Sequence, residues 1–153
     1  MNLNDIVVTM AAAIARDADI DRLCAETWGT TLTVVAGYEP GAGPELDEAP
    51  VVQIATDDRS RSANLVDREH LVLVGVFSPA GVWVTAPEGY RCQTGRAAHE
   101  RLAELVERTA TSALVAADIP TTPVPAPPDR QWPGGGGFGA FYGYAISYHD
   151  PIH

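Results

Sequence analysis

Four histidines, two cysteines and a few clustered carboxylates are the residues of this chain whose types could do chemistry. His149 and His153 share a four-residue spacing around Asp150, but Pro151 denies them the helix that would bring both imidazoles to one zinc ion. Cys92 precedes His99 by seven residues. A thiolate nucleophile also needs a positioned base and a third orienting group, and none stands out. His70 opens a strand pattern and His99 lies beside Glu100 on a helical one, and both read as solvated or capping residues. Asp57-Asp58 and Asp67-Arg68-Glu69 could form a carboxylate pair or a cation site, yet their polar surroundings read as a solvated hairpin. Gly134, Gly136 and Gly139 satisfy G-x-G-x-x-G, but a dinucleotide fingerprint follows a strand and opens a helix, whereas these glycines follow prolines and precede an aromatic strand. No catalytic constellation, metal site or cofactor emerges.

The elements that would position any site are plainer. The chain has 153 residues, 46% hydrophobic, enough for a single domain with a real core. Asn4 reads as an N-cap, followed by Ile6, Val7, Met10, Ala13 and Ile14 at helical spacing. Asp17-Ala18-Asp19 interrupts that pattern, and Ile20, Leu23 and Cys24 predict a last short turn ending near Gly29. Strands are predicted at 31–38, 51–56, 70–77 and 138–148, with a Pro/Gly loop at 39–50 and a polar hairpin at 57–69. Val82-Trp83-Val84 suggests a small extra strand or hairpin within 78–95. A long helix runs from about Arg96 to Ala117 after a Thr94 cap. Residues 118–137, rich in proline and ending in consecutive glycines, predict an irregular exposed connection. The expectation is an α+β fold of order α-β-β-β-α-β, a four-stranded mainly antiparallel sheet with two helices on one face.

That architecture poses a packing problem. The third strand, Leu71 to Phe77, is apolar on both sides, and two helices cover only one face of a sheet. Each buried Val or Leu is worth about 1.5–3 kcal/mol, so Val72, Val74 and Val76, with Phe141 of the last strand, are expected to meet either the 78–95 segment or a second subunit. Arg59, Arg61 and Arg68 give the 57–69 hairpin a local positive character, which reads either as a candidate docking feature or as an ordinary mixed-charge loop. The net charge of −10 argues against a nucleic-acid surface, which needs a basic stripe. No apolar run reaches the roughly 20 residues needed to cross a bilayer, and no secretory signal opens the chain. With cysteines that match no disulfide framework, the expectation is a protein made in a reducing cytoplasm.

Taken together, the order of elements and several local sequences resemble the tail terminator (tail completion) proteins of tailed bacteriophages and related injection machines. The resembling parts are the helix Asp5 to Ile14 with its Asp-Ala-Asp-Ile break, and the strand Thr33 to Tyr38 running into a Pro/Gly loop. Ala49-Pro50-Val51-Val52-Gln53-Ile54, the polar hairpin, a strand ending Val76-Phe77-Ser78, a helix near Arg96 and a late strand complete them. The 78–95 and 118–137 segments are longer than that pattern. The resemblance implies a non-enzymatic ring, a hexamer, at the head-proximal end of the virion tail, assembled in the host cytoplasm. Its partners would be further copies of itself, the tail tube protein and the head–neck connector, with DNA passing through the lumen without specific binding. An acidic lumen suits such passage. Three alternatives stand beside it: a head–tail connector of the same machine, a small ligand-binding or enzymatic α+β domain using Trp83, Trp132, Tyr142 and Tyr144 as a pocket, or a monomeric accessory or immunity-type protein that binds one partner through the exposed hairpin.

Overall fold

A computed structural model describes residues 3–37, 49–57, 67–124, 130–131 and 136–149. The chain begins with helix α1 (Leu3–Ala15) and, after a two-residue break, helix α2 (Ala18–Trp28). Asn4 lies inside α1 rather than ahead of it. The sequence break at Asp17 is a helix junction: its carboxylate accepts from the backbone N–H groups of Asp19 and Ile20 at 2.9 and 3.1 Å, capping α2. Gly29, in the left-handed region with φ 67°, closes α2 by donating its N–H to the Ala25 carbonyl.

Strands β1 (Thr33–Ala36), β2 (Val51–Asp57) and β3 (Asp67–Pro79) follow, then a hairpin of β4 (Trp83–Thr85) and β5 (Arg91–Gln93). Helix α3 (Gly95–Ala116), β6 (Thr121–Val124), β7 (Arg130–Gln131) and β8 (Gly137–His149) complete the described elements. The main sheet runs β1-β2-β3-β8-β6, with β7 also paired to β8. β1 is parallel to β2, and the other pairs are antiparallel. The α+β class and the small hairpin within 78–95 are as expected. The sheet is wider than four strands, and α2 is a helix in its own right. The 118–137 stretch also holds β6 and the short β7 rather than only irregular chain. Pro123 does not prevent this because β6 is an edge strand, where one side of the backbone needs no partner.

β3 and β8 form the spine, thirteen residues each in unbroken antiparallel register from Asp67 opposite His149 to Pro79 opposite Gly137. Alternation then sorts their side chains. Val72, Val74 and Val76 stand opposite Tyr144, Tyr142 and Ala140, beside Val52 and Ile54 of β2, and this face meets the helices. α1 packs over β1 and β2, α3 over β3 and β8, and α2 against α3. Met10, Ile14, Ile20, Leu102, Val106 and Leu114 supply the helical half of the core.

Candidate assembly surface

The expected interface residues Val72, Val74 and Val76 are each 0% exposed, inside the helix-covered core. They are therefore not a subunit-facing set, because the strand's parity turns them toward α1 and α3. The apolar surplus belongs to the alternate residues. Leu71, Leu73 and Phe77 of β3 share the second face with Phe141 and Ala145 of β8 and Val124 of β6. Among the described residues no helix covers that face. Phe77 is buried, while the other five are only half-buried.

Phe141, the one expected interface residue on this side, meets Phe77 edge-to-face, ring centroids 5.4 Å apart at 82°. Gly75 lies between these rings: a Cβ there would come within 2.8 Å of the Phe77 ring and 3.3 Å of Phe141. Gly143 similarly yields its space to Val124, Leu71 and Leu73, at 3.3 to 3.6 Å from the position a Cβ would take. Glycines on β3 and β8 thus let large side chains lie flat across the sheet and make a shallow apolar surface.

A second feature projects beyond the sheet. Chain 80–95 leaves the end of β3, forms the β4–β5 hairpin and returns into α3. Its base is fastened by Val82 donating to the Thr94 hydroxyl (3.1 Å), Thr94 to the Val82 carbonyl (3.0 Å) and Gly95 to the Ala80 carbonyl (2.9 Å). Thr94 thus spends its hydroxyl on the hairpin and makes no side-chain cap on α3, contrary to expectation. Gly95 admits this close passage, since a Cβ would come within 2.6 Å of the Ala80 carbonyl oxygen. The tip turns through Pro87 and Glu88 to Gly89 at φ 94°, a conformation that favours glycine. Val82, Trp83 and Tyr90 are 66%, 56% and 59% exposed, and the Arg91 guanidinium sits 5.3 Å over the Trp83 ring.

One side-chain pair has the form of a nucleophile and its base. Ser78 and His99 Nδ1 are 2.7 Å apart at the junction of β3 and α3, with Phe138 stacked beside the imidazole at 5.5 Å. Both residues are buried, 0% and 2% exposed, so a substrate carbonyl has no approach to the hydroxyl. The pair locks the start of α3 to the end of β3. Sequence reading placed His99 in solvent or at a cap and passed over Ser78. The missed signal was the helical phase of His99, three residues before Leu102 and so on the buried stripe.

Among the described residues, the aromatics offered for a pocket are not assembled. Tyr144 is buried in the core, its hydroxyl 3.1 Å from Thr111 and bonded to the Glu107 carbonyl. Burial raises its pKa, opposed by the Thr111 bond and aided by Glu107. Trp83 is out on the hairpin, and Trp132 lies outside the described residues. So do Arg59 and Arg61 of the candidate docking hairpin; Arg68 lies on β3 opposite Tyr148. Asp58, His153 and the first two of the consecutive glycines, Gly134 and Gly135, also lie outside. No group of three or more potential metal ligands occurs among the described residues, and no described helix is long and apolar enough to cross a membrane.

What the arrangement offers is contact area: a shallow apolar sheet face and a projecting aromatic arm. No protein-family model matches the chain, and no curated protein is similar to it.

Proposed function

We propose that this protein is a structural assembly subunit, a tail terminator that associates with copies of itself into a ring capping a phage-type tail tube and joining it to the head or neck. The observation that carries the reading is the second face of the sheet. Leu71, Leu73, Val124 and Phe141 stand half-buried on a face that no described helix covers, where a monomer forgoes part of the transfer free energy of each side chain. A neighbouring subunit completes that burial. The same burial requirement underlies the expectation that the sheet meets either the 78–95 segment or a second subunit; the core valines give way to their alternates on β3, and Phe141 stays in the set. The resemblance in element order, and a net charge of −10 suited to a lumen that must not grip DNA, support a phage-type tail as the machine.

Leu73→Glu tests the reading by native mass measurement, with and without tail tubes. The substitution places a carboxylate on the half-buried face, where water can still reach it in the free subunit. Loss of the oligomer with unchanged far-ultraviolet circular dichroism is the expected outcome. Unchanged association would remove this face from the assembly. Capping distinguishes a terminator from a neck connector of the same machine: a terminator stops tube growth when added to polymerising tube protein, whereas a connector binds only tubes already finished.

A further inference from the structure

We propose that the β4–β5 hairpin is a docking arm that seats Trp83 in the α1–β1–β2 cleft of a second copy of this chain; the inference rests on the ring reading above and specifies one of its contacts. The first observation is the distribution of exposed apolar side chains. Among the described residues seven large hydrophobics are exposed: Val82, Trp83, Val84 and Tyr90 on the hairpin, Val8 and Val35 on the elements walling the cleft, and Val115. A free two-stranded hairpin is marginal in water. This one presents apolar groups outward rather than against its own domain.

The second observation is the cleft itself, a cavity of about 270 Å³ between the first turn of α1 and the ends of β1 and β2. Leu3, Val7, Ala36 and Ile54 form its apolar wall, with Asn4 and Thr56 at hand to accept a hydrogen bond from an indole N–H. Among the described residues no charged side chain lines it, so an aromatic can enter without desolvating one of them.

Position makes the contact intermolecular. The hairpin leaves from Pro79, beyond the Val51–Phe77 end of the β2–β3 pair, whereas the cleft lies at Ile54 and Thr56, opposite Val74 and Val72. Seven residues of strand separate Pro79 from Val72, roughly 23 Å at strand rise. An arm at one end and a receptor at the other make a head-to-tail contact, which generates a closed ring when its rotation closes. The charges agree with this pairing. Glu88 at the arm's tip suits the positive N-terminal end of α1, and Arg91 beside Trp83 suits Asp5 on that helix's first turn.

The test uses full-length protein in two forms. In a Cys92→Ser background, Thr85→Cys marks the arm on the same hairpin face as Trp83, and Ala36→Cys marks the cleft. The two are made as separate, differently tagged chains and mixed under mild oxidation. A disulfide between arm-marked and cleft-marked chains is expected. Trp83→Ser, a solvent-facing change, is expected to weaken association by about 30-fold or more, as for loss of an interface anchor. Rings that persist undiminished in that variant, or that form without the mixed disulfide, overturn the arm while leaving the ring reading in place. A chain that stays monomeric under every condition, tail tubes included, overturns both.

Discussion

Asp17 does two jobs with one carboxylate: it caps α2 through two backbone N–H groups and accepts a 2.6 Å bond from the Thr109 hydroxyl on α3, ninety-two residues away. Burial alone would raise its pKa, but the Thr109 and backbone hydrogen bonds, with Arg108 nearby, outweigh that and hold the carboxyl below its ordinary 3.8. A depressed native pKa contributes stability that is fully present above the ordinary carboxylate range and lost as pH falls through the native value. Asp17→Ala should therefore lower unfolding free energy at neutral pH by about 1 kcal/mol, the usual worth of a cap. The difference from wild type should shrink when denaturant melts are repeated at acid pH. Cys24 shows the opposite effect. Burial, with Asp21 nearby, pushes its thiol up to about 11, so at pH 8 a thiol reagent should titrate one fast cysteine, Cys92, and reach Cys24 only on unfolding. Two fast thiols in the native protein would contradict its placement in the core.

At the scale of elements, the junction of β3, the hairpin and α3 has the least room for change. Gly95 passes against the Pro79 and Ala80 carbonyls, and Ser78 meets His99 just behind it. Gly95→Ala puts a methyl where a backbone oxygen already stands and should cost about 1–3 kcal/mol, read as a lowered denaturant midpoint with unchanged slope. Most of these elements were legible in the sequence. Ile6, Val7, Met10 and Ile14 announced α1 by spacing, and Leu102, Leu105 and Val106 announced α3. β2, β3 and β8 stood out as β-branched or aromatic runs. β6 was not legible because proline content signals broken structure, and only its edge position makes Pro123 harmless. The face of β3 was not legible either. An apolar residue at every position from Leu71 to Val74 carries no alternation, so only pairing with β2 and β8 decides which set turns inward. That ambiguity is why Val72, Val74 and Val76 were expected at an interface and lie in the core. The arm was half legible: Val82-Trp83-Val84 marked a strand, but its exposure depends on how the chain leaves β3.

The whole molecule joins one well-filled core to two apolar surfaces that no described helix covers. Helices α1 and α3 seal one side of the sheet, and on the proposed ring reading neighbours cover the other side and the hairpin. The two faces of β3 should then respond oppositely to the same substitution. Val74→Glu buries an unpaired carboxyl among Met10, Leu102 and other core residues, a cost of several kcal/mol, and should abolish folding. Leu73→Glu, one residue away, should leave the fold and remove the assembly. The most direct measurement of the central claim is therefore the native mass of wild type and Leu73→Glu across a concentration series spanning micromolar to millimolar, each sample checked by circular dichroism. A closed oligomer for wild type and a folded monomer for Leu73→Glu is the predicted result. A wild-type chain that remains a monomer throughout and on added tail tubes, or a Leu73→Glu chain that assembles as wild type does, contradicts it.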